Sequence, residues 1–257
     1  MDKNFRIAVL IDGDNAESLL IENILNEIGR YGRITIKRIY ADWTNNQMNQ
    51  WKSVVNKYAI RPIQKFSYTK GKNSTDTALI IDAMDILHSK IVDGFCIVSS
   101  DSDYTGIAHR IREEGLFIMG IGKSKTPEAF VKACENFIYS EILIPKNFEN
   151  DEIKKVETET KTNNKTQSDV PIITNKITNE PINIQLIDNA FGMVVDDISG
   201  LALASRLSES IRKIDTTFDI RNFGFSSFRK FCEALYPRYE SLFLENKSTL
   251  VLKRIEK

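Results

Sequence analysis

Through the first half of the chain, unbroken apolar runs alternate with amphipathic stretches. Ile7-Ala8-Val9-Leu10-Ile11 and Gly94-Phe95-Cys96-Ile97-Val98 are apolar throughout and of strand length. Such runs suit strands buried on both faces, as in a parallel sheet covered by helices. Ile34 to Tyr40 is a β-branched strand, Gly115 to Gly122 a further strand, and Ile60 to Phe66 a weaker one whose Pro62 hints at an edge. Between them lie helical stretches. Leu19, Leu20, Ile24, Leu25 and Ile28 share one face, and Trp51, Val54 and Val55 another. Asp76 opens a helix carrying Leu79, Ile80, Ala83 and Leu87, and Tyr104 to Glu114 places Ile107, Ala108 and Ile111 at helical spacing. Pro127 to Cys134 is helical, with Thr126 as its cap. Strand and helix alternate over residues 5–146, which predicts an α/β domain with a mostly parallel, Rossmann-like sheet.

The pattern then breaks. Over 147–183 Lys, Glu, Thr and Asn dominate and apolar periodicity is lost, so the segment predicts a flexible linker. From Ile184 the pattern is globular again. Helices are expected around Leu186–Phe191, from Ile198 to Leu207, and from Phe228 to Tyr236 with Ser226 or Ser227 as cap; Thr249 to Lys253 is a closing strand. Residues 184–257 thus form a small, winged-helix-like second unit, separable from the first.

Composition narrows the function classes. The 35 basic and 35 acidic side chains cancel, so any surface for nucleic acid must be local. No long apolar stretch suggests a signal peptide or membrane span. Three dispersed cysteines match no zinc spacing and suit a reducing, cytoplasmic setting.

The candidate chemistry is acidic. Asp12 and Asp14 end the first strand, Asp101 and Asp103 follow the strand at 94–98, and Asp76 begins a helix between them. In an open parallel sheet, ligands bind at that edge. Asp101 can equally be read as a helix cap. Crowded carboxylates favour a neutralising cation, and an all-oxygen donor set selects Mg²⁺ or Mn²⁺. Such a metal polarises a phosphodiester and activates water without a side-chain nucleophile. His88 and His109 sit inside helices and read as structural or surface residues. No Gly-rich phosphate loop is present, which argues against a nucleotide-binding or phosphatase reading. Ser99 and Ser100 either orient metal-bound water or satisfy turn amides. Lys70 and Lys72, with Lys123 and Lys125, either receive a phosphate backbone or are solvated loop lysines.

The motifs in order are Val9-Leu10-Ile11-Asp12-Gly13-Asp14-Asn15, Tyr40-Ala41-Asp42-Trp43, Lys70 to Asp76, Ile81-Asp82-Ala83-Met84-Asp85 and Ser99-Ser100-Asp101-Ser102-Asp103-Tyr104. Together they resemble the NYN domain of the LabA/DUF88 family, with Phe137-Ile138-Tyr139 at its usual end. The family is similar to PIN nucleases. The resemblance implies a PIN-like sheet and a Mg²⁺- or Mn²⁺-dependent ribonuclease in which Asp12, Asp76, Asp101 and Asp103 are the catalytic, metal-binding set. Asp14, Asn15 and Asp82 are weaker candidates: Asp14 can cap the next helix, and Asp82 falls on another helix face. Asp42 is expected to orient Trp43 and its loop.

The tail motifs Asp196 to Ala202, Phe218 to Phe225 and Phe228 to Leu235 resemble the OST-HTH/LOTUS domain, which implies RNA binding or protein contacts. Phe223 stands where tyrosine is more usual, and Val194-Val195 replaces a common Gly-Trp. Arg206, Arg212, Lys213, Arg221, Arg229 and Lys230 are its candidate basic face, with Arg229 and Lys230 the leading RNA contacts. Phe223 and Phe225 either stack bases or belong to the core. The opposing reading is a weak or inactive NYN-fold adaptor that binds RNA. Limited trypsin digestion is expected to cut first between 147 and 183, at Lys154, Lys155 and Lys161; protection of these sites would mean a docked segment.

Overall fold

The computed structural model describes residues 4–65, 74–144, 182–244 and 248–255. In the first unit, β1 (Arg6–Asp12), β2 (Arg33–Ala41), β3 (Arg61–Gln64), β4 (Gly94–Val98), β5 (Phe117–Gly122) and β6 (Asn136–Tyr139) form one sheet. Its order is β3-β2-β1-β4-β5-β6, and every neighbouring pair is parallel. Parallel neighbours require crossovers, which α1 (Ile21–Ile28), α2 (Asn49–Lys57), α3 (Ser74–Ser89), α4 (Thr105–Glu113) and α5 (Glu128–Ala133) supply. The expected edge position of β3, with Pro62 in it, is observed. The expected linker over 147–183 and the lysines Lys70 and Lys72 lie outside the described residues, apart from Ile182 and Asn183.

The unbroken apolar runs follow from burial on both faces. Ile7, Val9 and Ile11 pack into the layer of α1 and α2, while Ala8 and Leu10 pack into the layer of α3, α4 and α5. Strand alternation therefore sends Asp12, next in parity after Leu10, towards α3 and α4. The chain runs outward from β1 to β3, returns to β4 beside β1, and then runs outward the other way to β6. Strand order thus reverses between β1 and β4, opening a crevice at their C-terminal ends.

The second unit comprises α6 (Ile184–Gly192), β7 (Leu201–Leu203), α7 (Ala204–Ile214), α8 (Phe228–Glu233), β8 (Tyr239–Phe243) and β9 (Leu250–Arg254). The stretch expected as one helix from Ile198 divides instead. The Asp196 carboxylate accepts from the Ile198 and Ser199 amides in a side-chain turn, and Leu201–Leu203 then pairs with β9. Pairing with a distant strand overrides the local helical spacing. The closing strand is the centre of a three-stranded antiparallel sheet, β7-β9-β8. Ser227 is the cap of α8, its hydroxyl accepting from the Lys230 amide. Thr126 caps no helix; its hydroxyl donates to the Lys123 carbonyl, and α5 starts after Pro127. Phe223 and Phe225 pack around the fully buried Phe231, with ring centroids 6.2 and 5.6 Å away, which assigns them to the core. Among the described residues, no helix is long and apolar enough to cross a membrane.

The two units touch, which the sequence patterning does not foretell. The Phe137 amide on edge strand β6 donates to the Thr216 carbonyl at 2.9 Å. Arg221 makes a bidentate pair with Glu27 on α1, at 3.0 and 2.9 Å, and also holds Asp219. Burial works to raise the Asp219 carboxyl, but the Arg221 guanidinium prevails and holds it below its ordinary value. The Glu27 side chain is only 6% exposed, so it depends on its partners Arg221 and Arg30. Arg221→Ala is expected to lower the stability of the full chain by about 2 kcal/mol in urea unfolding, because a buried carboxylate loses one of its charged donors. Unchanged unfolding would show that this contact contributes nothing.

Candidate metal centre

Three chain segments bring carboxylates to the crevice. Asp101 follows β4 and is the N-cap of a short 3₁₀ turn, Ser102–Tyr104, that leads into α4. Its Oδ1 accepts from the Asp103 amide at 2.9 Å. The capping and functional readings of Asp101 are therefore compatible: the cap fixes the carboxylate at the crevice. Asp103 lies in that same turn, and Asp76 comes from the first turn of α3. One oxygen from each of Asp76, Asp101 and Asp103 falls within 4.8 Å of the others. Unit charges at that spacing repel by about 3 kcal/mol per pair at an effective dielectric near 20, before solvent screening reduces the share of the exposed Asp103. Burial pushes the Asp76 carboxyl up, the Tyr104 hydrogen bond opposes this, and the charges of Asp12, Asp101 and Asp103 add to the rise.

Asp12 forms the floor of the crevice. It is fully buried, and three donors hold it: the Asp14 amide at 3.1 Å on Oδ1, and the Asn15 side-chain amide at 2.7 Å and the Ser99 hydroxyl at 2.8 Å on Oδ2. Burial raises its carboxyl above the ordinary value against the pull of these donors. Asp12 lies outside the group of three whose oxygens fall within 4.8 Å of one another, and its charge is felt at Asp76. Asp14 is exposed, and the turn it was expected to cap starts at Ser18 after Glu17. Asn15 serves Asp12.

The serines divide. Ser99 is buried and links β4 to β1: it donates to Asp12 while its Oγ accepts from the Asp101 amide at 3.1 Å. Ser100 accepts from the Lys123 amide at 2.8 Å, which is a turn role. Gly122 is required beside them, because a Cβ there would lie 2.4 Å from the Ser99 carbonyl oxygen. The Lys123 ammonium sits 2.7 Å from Glu17, an acid with no sequence signal of its own. Asp82 is committed to Arg38 and the Tyr40 hydroxyl, so it is a structural ion pair and not part of the cluster. Asp42 accepts from Thr44 and Gln64 and shapes the Trp43 loop, as expected. His88 and His109 are exposed on their helices; the His88 ring contacts the Met84 carbonyl.

Tyr104 escaped the sequence reading. It is fully buried, and its hydroxyl donates to Asp76 Oδ1 at 2.7 Å. A signal existed: a tyrosine on the apolar stripe of Ile107, Ala108 and Ile111 must find a partner for its hydroxyl.

The candidate basic face of the second unit loses Arg221 to the junction between the units. Arg221 is spent on Glu27 and Asp219, and the charge of Arg212 acts on Asp219 and Tyr31 at the same junction. Arg229 pairs with Glu233 and lies over the Phe243 ring. Arg206, Lys213 and Lys230 are exposed.

The model of the NYN domain family matches residues 6–142, and the chain belongs to that family, whose members share a PIN-like nuclease fold. Among solved structures, a Vibrio parahaemolyticus protein of unknown function is 18% identical with a TM-score of 0.45, covering 53% of this chain and 93% of its own. A UDP-N-acetylglucosamine 2-epimerase is 9% identical with a TM-score of 0.37, covering 61% of this chain and 44% of its own. No curated protein matches.

Asp76, Asp101 and Asp103 offer hard oxygen donors without His or Cys, a set that fits a hard divalent cation. Because the Asp12 and Asp76 carboxyls are raised on folding, their stabilising contribution is full below the unfolded value of about 4 and is lost as pH rises through the folded values. A cation that binds the ionised carboxylates reverses this loss. Mg²⁺ is therefore expected to raise the thermal midpoint more at neutral pH than at about pH 5. Equal shifts at both values would argue against binding at this cluster.

Proposed function

We propose that the chain is a divalent-metal-dependent endoribonuclease that hydrolyses phosphodiesters within RNA. The observation that carries this reading is the carboxylate cluster of Asp76, Asp101 and Asp103, set at the strand-order reversal of an NYN domain. These three residues would hold Mg²⁺ or Mn²⁺, with Asp12 supplying negative charge from below. The bound cation would polarise a phosphate oxygen and lower the pKa of a coordinated water. The protein's own groups then have positioning work. Ser99 and Asn15 hold Asp12, and the Asp101 cap fixes the turn that carries Asp103. The coordinated water would be the nucleophile, so the reading needs no side-chain nucleophile. Lys123 would meet the RNA backbone by exchanging Glu17 for a phosphate, and Lys70 and Lys72 are further candidate phosphate contacts by their sequence.

For the second unit we propose an OST-HTH/LOTUS-like role in recruiting RNA, with Arg229 and Lys230 as the leading contacts and the exposed Arg206 and Lys213 as further ones. Two features support it: the resemblance of its motifs, and a helical unit closed by a three-stranded antiparallel sheet. Protein partners at this unit are the other outcome of the same resemblance. The three cysteines are buried free thiols, which suits a cytoplasmic location.

The test is cleavage of a mixed RNA pool by the full chain with Mg²⁺ or Mn²⁺ in excess. Asp101→Asn is expected to reduce turnover by more than the roughly 100-fold that outer-shell changes reach. Its thermal stability in EDTA should hold or rise, since one charge leaves a crowded site. Unchanged turnover would remove Asp101 from the mechanism. Equal loss of folding would assign it to capping alone.

A further inference from the structure

We infer that Tyr104 is a positioning residue for the metal centre, its hydroxyl fixing Asp76 so that the second carboxylate oxygen is presented to the cation. This inference rests on the metal-centre reading above. The Tyr104 ring is fully buried and packs near Phe130, with centroids 6.2 Å apart. Packing alone would be served as well by phenylalanine, and a buried hydroxyl is costly unless it finds a partner. Here the partner is a cluster carboxylate: the hydroxyl donates to Asp76 Oδ1 at 2.7 Å, and it also faces Asp12.

The geometry couples two levels of the crevice. Tyr104 closes the 3₁₀ turn that begins at the Asp101 cap and contains Asp103. The residue that follows two cluster carboxylates in sequence thus reaches across to the third, which comes from α3. Asp76 is half-buried near the start of its helix, and this bond ties its carboxylate to the turn carrying the other two. A phenol is protonated at neutral pH and has one proton to donate. It therefore restrains one oxygen of Asp76 and leaves the other for coordination. Ligating carboxylates are ordinarily held by outer groups in this way, and loss of such a group typically weakens metal affinity 10- to 100-fold.

The experiment is Mn²⁺ titration of the full chain by isothermal calorimetry or electron paramagnetic resonance, comparing wild type with Tyr104→Phe, and thermal unfolding of both in EDTA. The expected result is about tenfold or greater weakening of Mn²⁺ affinity in Y104F with an unchanged midpoint in EDTA. Equal affinity in the two proteins would overturn the inference while leaving the metal centre intact. A Y104F chain that fails to fold, or melts well below wild type in EDTA, would also overturn it, because the hydroxyl would then serve the core. A wild-type chain that takes up no Mn²⁺ would overturn the metal-centre reading and this inference with it, a result visible before the variant is made.

Discussion

Burying the Asp12 carboxylate is the constraint on which the crevice depends. A buried charge is tolerated only where hydrogen bonds replace its water. The replacements come from the turn after β1, through the Asp14 amide and Asn15, and from the end of β4, through Ser99. The same contacts join the two strands at the point where their order reverses. Ser99 also receives the Asp101 amide, so the floor and the turn above it share one hydrogen-bonded chain. Gly122 permits the close approach of β5 to Ser99 that this arrangement needs. The turn that carries Asp101 and Asp103 is thus tied to the floor by a continuous set of hydrogen bonds and does not rest on loop conformation alone.

The rim itself is an electrostatic conflict that folding alone does not resolve. Asp76, Asp101 and Asp103 approach one another, and Asp12 adds its charge beneath. Capping gives a local reason for Asp101, and Tyr104 gives one for the orientation of Asp76. Neither gives a reason for the convergence of all three, which is what a hard cation would supply. Like charges gathered this closely cost stability unless a cation neutralises them.

The second unit changes how the open sheet is finished. Edge strand β6 would otherwise present unpaired backbone amides, a liability for association with other chains. The Thr216 carbonyl takes up the Phe137 amide, and the Arg221 fork anchors the same region to α1. Arg221, spent at this junction, is subtracted from any nucleic-acid face. That leaves a sparser basic surface than the count of Lys and Arg in the unit suggests, since an ion-paired guanidinium attracts phosphate far less than a solvated one.

Much of the first unit was legible from residue order, because its determinants are local and periodic. Doubly buried strands are unbroken apolar runs, and helices covering them show stripes such as Leu20, Ile24 and Ile28. Motif spacing around Asp12, Asp76 and Asp101 placed the acidic edge for the same reason: strand ends in an α/β chain fall in line. Three-dimensional proximity decided the remainder. Leu201–Leu203 is a strand because β9, some fifty residues onward, offers it hydrogen bonds. Asp82 is drawn off by Arg38 and Tyr40, Arg221 by Glu27, and Lys123 by Glu17, pairings between residues whose separation along the chain carries no signal. Asp12 and Asp76 look alike as aspartates in a row of motifs. Burial and the choice of donors make one the floor of the crevice and the other part of its rim, and those depend on which side chains the packed sheet and helices bring within hydrogen-bonding distance.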